Sequence, residues 1–289
     1  MKVLRIVMAG GGTGGHLYPG LAVGEALGTI LGGYGGGTEL VWAATERAVD
    51  QRLLSGFGER YVKQAVQPLV KSIGKLWGFW SGWRKSCRYW EERFSKETFD
   101  CVVALGGYAA GPAAYVAAKR GVPVVLLNPD ALPGRANRFL LKRADVVVTQ
   151  WPLAKEYEAG VKGKVMPLGC PIRRGLVSGI SREEAGRKLG VDGSLKTLVV
   201  TGASLGAKTI NDAVLEMLGD GEIRAAFEVE GLPPKGGTPA WQIVHLSGMD
   251  QAEEVRKAYA KFPRVRAKVI DYCDDMASLW AMTDIAIAR

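Results

Sequence analysis

The feature that most constrains the fold is a repeated alternation of short apolar runs with longer segments of helical character. Nine such runs, rich in Val, Ile and Ala, cover residues 3–8, 39–43, 101–105, 123–127, 146–149, 197–201, 242–246, 267–270 and 284–288. Because most of them are continuously hydrophobic, they are typical of parallel strands that are buried on both faces. Five runs precede residue 150 and four follow residue 195, so the pattern predicts an α/β protein with two doubly wound domains.

Proline and glycine residues between positions 160 and 195 indicate the linker between these domains. We therefore predict a first domain over 1–165 and a second over 166–289. The last apolar run, 284–288, is followed by no covering helix, so the second domain is expected to be incomplete.

Charge and composition limit the classes of function. With 47% hydrophobic and 23% charged residues, the chain is expected to bury a large core, which excludes a disordered protein.

The net charge is +8 over residues 1–150 and +1 over 151–289, so the first half is expected to bind an acidic partner such as anionic lipid, phosphate or nucleic acid. The four cysteines form no CxxC pair, which argues against a zinc site and favours a reducing, cytoplasmic setting.

Glycine-rich turns follow three of the predicted strands, at 10–15, 106–111 and 202–207. Backbone N–H groups at such a turn and at the start of the next helix bind anions. The first turn also has the GxGxxG spacing of a dinucleotide site, with Glu46 as the candidate ribose ligand. We disfavour an NAD-dependent oxidoreductase, because hydride transfer does not explain three such turns in two domains.

An aromatic segment lies at 69–90, where four Trp residues alternate with five Lys or Arg residues. The proposed membrane patch consists of Trp77, Phe79, Trp80 and Trp83. Spacings of three and four place much of this set on one face of a helix. Aromatic side chains with a basic fringe are typical of an interfacial anchor on an anionic membrane. Binding of single-stranded nucleic acid and burial in the core are the alternatives.

Seven blocks occur in the order and spacing of the MurG family of peptidoglycan N-acetylglucosaminyltransferases, which the chain resembles throughout: GGGTGGHLYPGLAVGEAL, LGGYAAGPAA, GVPVVLLNPDALPGRANRFL, GCPIR, TGASLGAKTIN, VHLSG and DYCDDMASLWAMTDIAIAR. The resemblance implies a GT-B fold, in which two Rossmann-like domains face a cleft. The N-terminal domain would bind the acceptor and the membrane, and the C-terminal domain would bind UDP-GlcNAc.

The implied reaction is inverting transfer of GlcNAc from UDP-GlcNAc to lipid I, which forms lipid II, with no metal and no cofactor. The implied location is peripheral, on the cytoplasmic face of the cell membrane, so an anionic membrane surface is the expected partner and nucleic acid is not. The oligomeric state stays open.

The resemblance also assigns roles to individual residues. His16 is the candidate base, since neutral imidazole can accept a proton near pH 7, and the alternative is that it orients the turn. Arg173 is expected to contact the donor diphosphate, whose oxygens suit a planar guanidinium. The substrate-binding candidates are Thr13, Gly14, Gly15, Gly107, Tyr108, Asn128, Asp130, Asn137, Arg173, Ser204, Leu205, Gly206, Tyr272, Cys273 and Met276.

The chain departs from the family at a block that usually reads His-Glu-Gln-Asn and here reads Leu-Asn-Pro-Asp at 127–130. Asn128 cannot act as a base, so the carboxylate is lost or displaced to Asp130, which is then a second candidate base, a donor contact or an Asx-turn residue. Leu205 replaces a usual Gln. The family's ribose-binding acidic residue would lie beyond Arg289, so weak UDP binding is expected. A non-catalytic homologue that binds a lipid-linked or nucleotide ligand is therefore the alternative function.

Three further residues carry structural expectations. Asn137, in the block GRANRF, is expected to start or cap a helix. His245 lies in an apolar run, so we expect a buried side chain with satisfied hydrogen bonds. Nothing around Cys273 indicates a reactive thiol.

Overall fold

A computed structural model describes residues 3–69, 73–177, 179–203, 206–228 and 241–289. The chain forms two compact units, Met1–Arg174 and Gly175–Arg289. Each unit is a parallel sheet with helices on its faces. The alternating apolar runs predict this α/β architecture of two doubly wound domains, and the family resemblance implies that it is GT-B-like.

The first unit contains strands and helices in alternation. Its described strands are β1 Val3–Gly10, β2 Gly37–Ala44, β3 Tyr61–Lys63, β4 Cys101–Gly106, β5 Val124–Asn128, β6 Val146–Thr149 and β7 Lys164–Pro167. Its described helices are α1 Gly14–Gly33, α2 Ala48–Leu54, α3 Ile73–Lys96, α4 Ala110–Lys119, α5 Arg135–Leu141 and α6 Lys155–Glu158. The strands form one parallel sheet in the order β3-β2-β1-β4-β5-β6-β7.

This strand order places the Gly-rich turns side by side. Strands β1 and β4 are neighbours, and β5 is next to β4. All three strands run in the same direction, so the segments that follow them emerge at one edge of the sheet. Helix α4 lies close to the sheet because it is rich in small side chains, with Ala110, Ala113, Ala114 and Ala117 fully buried. The fold therefore gathers the candidate residues of the first unit at the carboxyl edge.

The second unit is also a parallel sheet with helices on its faces, but it has four described strands instead of seven. Its described strands are β8 Lys196–Thr201, β9 Trp241–Leu246, β10 Ala267–Ile270 and β11 Ile285–Ala288, in the order β10-β9-β8-β11. Its described helices are α7 Arg182–Leu189, α8 Lys208–Met217, α9 Gly221–Ala225, α10 Ala252–Tyr259 and α11 Met276–Met282. Two apolar clusters cover the two faces of this sheet, one packed around Val200 and the other around Val199.

The structure adds two edge strands that the sequence pattern did not predict. Both β3 and β7 are short and lie at the margins of the first sheet. Strand β3 reads Tyr-Val-Lys and β7 reads Lys-Val-Met-Pro, so neither forms an apolar run long enough to be recognised. The predicted boundary between 165 and 166 falls inside β7, which is paired with β6, and the structure divides the chain at Arg174 instead.

Helix α3 contains residues 73–90 of the aromatic segment and packs against α4. Trp90 is fully buried, and its indole N–H donates a 3.0 Å hydrogen bond to Oε1 of Gln64. Trp77 and Trp80 are exposed on the same helix. Among the described helices, α3 included, none is both long and apolar enough to cross a bilayer.

Candidate functional site

A cavity of about 960 Å³ opens at the carboxyl edge of the first sheet. It brings together five of the predicted site residues, His16, Gly107, Tyr108, Asp130 and Asn137, together with Phe79, Trp80 and Trp83 of the predicted membrane patch. Thr13, Gly14, Gly15, Asn128 and Trp77 belong to the same unit but do not line it. One cavity therefore joins the candidate base to the aromatic helix.

His16 lies in the first turn of α1, two residues after that helix begins. Its Nδ1 atom is buried. Burial lowers the pKa of His16 below its ordinary value of 6.5, while the charge of Asp130, a backbone hydrogen bond at Leu105 and the charge of Asp50 oppose this shift. The imidazole is therefore neutral near pH 7, which is the form that accepts a proton.

The second Gly-rich turn touches the imidazole. Gly107 has φ +73°, and a Cβ atom at this position would lie 2.8 Å from the carbonyl oxygen of Gly11 and 3.3 Å from Nε2 of His16. A side chain would therefore collide with both the first turn and the candidate base. Only glycine fits here, so the two turns and His16 form one packed arrangement.

Asn128 has a structural role in the described site. It is buried, its amide donates to the backbone oxygen of Asp130 at 2.7 Å, and its Oδ1 accepts from Nδ2 of Asn137 at 2.8 Å. Both ends of this amide are thus engaged within the protein. Asn137 was expected to start or cap a helix, but it lies within α5, which begins at Arg135. Its Oδ1 atom is buried and has no hydrogen-bond partner among the described residues. Asp130 is exposed and lines the cavity.

Aromatic side chains form the far wall of the cavity. Trp83 is half-buried, with ring centroids 5.6 Å from Phe139 and 5.9 Å from Tyr115. Trp83, a member of the predicted membrane patch, lies in this wall. Tyr115 of α4 and Phe139 of α5 also form this wall, and neither is among the residues predicted from the sequence. Arg143 lies over the Phe139 ring at 3.8 Å, so the wall also carries a positive charge.

Asp50 on α2 is a second feature that sequence analysis missed. Its side chain is fully buried and binds the first Gly-rich turn through the Gly12 N–H. Glu46, the residue considered for a ribose, is exposed. Because a carboxylate already occupies the Gly12 amide, this turn does not offer that amide to a dinucleotide.

Arg173 belongs to the first unit, although the predicted boundary placed it in the second. Its guanidinium lies over the ring of Tyr18 on α1, 5.0 Å from the centroid. A guanidinium that stacks on an aromatic ring has a restricted orientation, which favours recognition of a planar or bidentate anion.

The third Gly-rich turn follows β8 in the second unit. Ser204 and Leu205 lie outside the described residues. Gly206 has φ +73°, and a Cβ atom there would overlap the carbonyl oxygen of Ser247. The turn therefore packs directly on the backbone that follows β9.

A buried hydrogen-bond chain supports this turn. Asn211 donates from Nδ2 to the Ser247 carbonyl at 3.0 Å and to Oε1 of Gln251 at 2.9 Å, so its Oδ1 is left to accept from Nε2 of His245 at 2.9 Å. Nδ1 of His245 then accepts from the Tyr259 hydroxyl at 3.1 Å. The expected buried and satisfied role of His245 is confirmed, and burial lowers its pKa to about 4.

This buried histidine predicts a pH-dependent stability. The folded state disfavours protonation of His245, whereas the unfolded chain binds a proton near pH 6.5, so stability falls as pH drops from 6.5 towards 4. We expect a loss of about 3 kcal/mol over that interval. Urea unfolding in a His16→Gln background removes the other histidine, and a further His245→Gln change should reduce the slope, to which carboxylates of lowered pKa such as Asp284 also contribute. Equal unfolding free energies at pH 7 and pH 4.5 in the His16→Gln background would contradict the assignment.

The segment Tyr272, Cys273 and Met276 leads into α11. Cys273 and Met276 are half-buried against the apolar cluster around Val199, and burial raises the pKa of the Cys273 thiol. The Asp275 side chain caps α11 by accepting from the Ser278 N–H at 3.0 Å. The cap fixes the direction in which the segment enters the helix.

Comparison with known proteins agrees with this architecture. The glycosyltransferase family 28 N-terminal domain matches residues 6–149, and the family 28 C-terminal domain matches residues 197–289. A crystal structure of MurG from Acinetobacter baumannii superposes with a TM-score of 0.60 at 24% identity, covering 99% of this chain and 71% of that one. A UDP-GlcNAc 2-epimerase from Neisseria meningitidis has a TM-score of 0.56 at 13% identity, covering 100% of this chain and 77% of that one, so it shares the fold.

Two curated relatives match along nearly the whole chain. One from Hahella chejuensis is 31% identical over 290 residues, which is 98% of this chain and 71% of the relative. One from Desulfitobacterium hafniense is 29% identical over 288 residues, which is 99% of this chain and 73% of the relative. Both are named UDP-N-acetylglucosamine--N-acetylmuramyl-(pentapeptide) pyrophosphoryl-undecaprenol N-acetylglucosamine transferase. The chain therefore belongs to glycosyltransferase family 28, among its MurG-type transferases.

Proposed function

We propose that this chain transfers N-acetylglucosamine from UDP-GlcNAc to lipid I, with inversion, to give lipid II. The observation that carries the proposal is the cavity of the first unit, which places His16 between two Gly-rich turns and extends to the exposed Trp80 of α3. A lipid-linked sugar diphosphate has a polar head and an apolar tail. A cavity with a polar end and an aromatic end fits both parts.

In the proposed reaction His16 is the catalytic base. The imidazole takes the proton of the acceptor hydroxyl while that oxygen bonds to the anomeric carbon of GlcNAc. The bond from the anomeric carbon to the UDP oxygen breaks on the opposite face, so the configuration inverts. Asp130, whose charge raises the pKa of His16, stabilises the imidazolium that forms.

The acceptor is held in the first unit. We assign its diphosphate to the N–H groups at the starts of α1 and α4, near Thr13, Gly14, Gly15 and Gly107, because helix N-termini favour anions. Tyr108 and Asn137 line the same cavity and are proposed to contact the acceptor sugar.

The donor is assigned to the turn after β8 and to the segment from Tyr272 to Met276. Ser204 and Gly206 are the proposed phosphate contacts, and Arg173 stabilises the departing diphosphate as negative charge develops on it. Cys273 and Met276 form the apolar side of the proposed uracil pocket.

The exposed face of α3 is the proposed membrane contact. Trp77 and Trp80 are exposed, and Arg84, Lys85 and Arg88 are exposed further along the same helix. Indole rings enter the interface of a bilayer, and cations favour anionic headgroups. We therefore place the protein peripherally on the cytoplasmic face of the cell membrane, where lipid I is accessible.

Incubation with radiolabelled UDP-GlcNAc and a lipid I analogue tests the proposal. We expect label in the lipid fraction and a β-configured product. The engagement of both ends of the Asn128 amide favours one alternative, a homologue that binds substrate without catalysis, since this position offers no carboxylate. Saturable binding of the lipid I analogue with no transfer at any pH from 6 to 9 would support that alternative and reject ours.

A further inference from the structure

Asp50 is a buried carboxylate that is held by donors of the protein itself. Its two oxygens accept from the Gly12 N–H at 2.8 and 2.9 Å, and Oδ2 also accepts from the Thr45 N–H at 2.8 Å and the Thr45 hydroxyl at 2.6 Å. A buried carboxylate is costly unless hydrogen bonds replace its hydration. Here charge-assisted bonds offset that cost, and each of them ties α2 to the end of β2 or to the first turn.

The tie to Gly12 fixes the path into α1. Strand β1 ends at Gly10 and α1 begins at Gly14, so three residues connect them. Asp50 binds the middle residue from one side, and Nη1 of Arg47 donates to its carbonyl oxygen at 3.1 Å. The His16 N–H donates to the carbonyl oxygen of Thr13, the last residue of this connection, at 3.3 Å, so a movement of Gly12 is expected to reach His16 through Thr13.

The same contact changes what the first turn can bind. A Gly-rich turn before a helix ordinarily presents its N–H groups to a phosphate. In this chain the Gly12 N–H is already taken by a carboxylate, whose negative charge also opposes a second anion at the same place. The turn is therefore built around an internal anion at Gly12.

We propose that Asp50 is a positioning residue. It holds the first Gly-rich turn in the conformation in which the His16 imidazole faces the acceptor in the cavity. The proposal rests on the function proposed above and assigns a further residue to it. Asp50 does not line the cavity, so it acts through the turn and through its charge. The charges that act on the imidazole are those of Asp130 after β5 and Asp50 on α2. Tyr108, Arg135 and Arg143 line the same cavity, and Arg47 donates to the Gly12 carbonyl oxygen.

The kinetic test compares Asp50→Asn with Asp145→Asn in the transfer assay. Asparagine keeps one acceptor oxygen, but it presents an NH₂ group to a donor N–H, so the turn loosens while the fold is retained. We expect kcat to fall by up to about 10²-fold, the cost of misplacing a reacting group by about 1 Å, with KM for UDP-GlcNAc within about twofold of wild type.

Asp145 is the matched control because its carboxylate also accepts from a backbone N–H, that of Val124 at 2.9 Å. It lies at the amino ends of β5 and β6, opposite the cavity. Asp145→Asn should lower the melting temperature without changing kcat. If Asp50→Asn has the kcat of wild type, the proposal is wrong.

A second measurement does not need activity. The chain has two histidines, so ¹³C-labelled histidine gives two imidazole signals, and a His16→Gln variant assigns them. The Asp50 charge raises the pKa of His16, so Asp50→Asn should move the His16 titration midpoint to lower pH, while Asp145→Asn leaves it unchanged. An unchanged or raised midpoint overturns the proposal. If the wild-type chain transfers no sugar while Asp50→Asn still lowers the titration midpoint of His16, the proposed function is wrong, but the effect of Asp50 on His16 is confirmed.

Discussion

Replacing His16 by glutamine is expected to lower kcat of the transfer reaction about a thousandfold while KM for UDP-GlcNAc stays nearly constant. Removal of a general base costs about 10²- to 10⁴-fold. Glutamine keeps a polar side chain of similar length but accepts no proton at the relevant pH. The measurement is steady-state transfer to a lipid I analogue, with circular dichroism to verify that the fold is intact.

The pH dependence of kcat/KM provides a second test of His16 as the base. Burial lowers the pKa of His16 below 6.5, so the imidazole is neutral and active above that pKa and becomes protonated and inactive below it. We expect the acidic limb of kcat/KM to have its midpoint below pH 6.5 and to be absent from whatever activity His16→Gln retains. An acidic limb that persists unchanged in His16→Gln would assign the base elsewhere.

Asp130→Asn separates the two candidate bases. If Asp130 stabilises the imidazolium, its loss should cost about tenfold in kcat and should move the acidic limb to lower pH, since its charge raises the pKa of His16. If Asp130 were the base, Asp130→Asn would cost more than His16→Gln. The ratio of the two effects therefore decides which side chain takes the proton.

The central part of the fold could be predicted because central parallel strands are buried on both faces. That burial requires continuous apolar residues, so every described central strand is visible as an apolar run. Strands β3 and β7 were not predicted because they are three and four residues long and include Lys or Pro, so they form no continuous apolar run. Helix α7 lies inside the predicted linker, yet it had a readable signal: Ser181 caps it by accepting from the Glu184 N–H at 3.2 Å, the first half of a capping box.

The site was less predictable than the fold because several of its contacts are long-range. Asp50 reaches a turn 38 residues away in sequence, and Trp83 packs against Phe139 from another helix. Neither contact produces a pattern among neighbouring residues from which it could be predicted. His16, by contrast, is recognisable because it follows a Gly-rich turn directly after a strand, and that order of elements specifies the edge of the sheet at which it lies.

Replacing both Trp77 and Trp80 by serine is expected to weaken binding to anionic vesicles about 70-fold. The two indoles are 78% and 56% exposed, and together they would bury about 200 Å² of apolar surface in a bilayer. At about 25 cal/mol per Å² this is at most about 5 kcal/mol, and half of it corresponds to about 70-fold. Co-sedimentation with vesicles of phosphatidylethanolamine and phosphatidylglycerol measures the change.

Trp151→Ser is the matched control for this double variant. Trp151 is 56% exposed, as Trp80 is, but it lies outside α3 and does not line the cavity. A general loss of apolar surface would weaken vesicle binding in both cases, whereas an anchor on α3 predicts that Trp151→Ser binds as wild type. Transfer to a short-chain, water-soluble lipid I analogue should be affected less by Trp77→Ser than transfer to the bilayer-embedded substrate, because Trp77 does not line the cavity. Equal loss with both acceptors would mean that the tryptophan serves the reaction rather than the membrane.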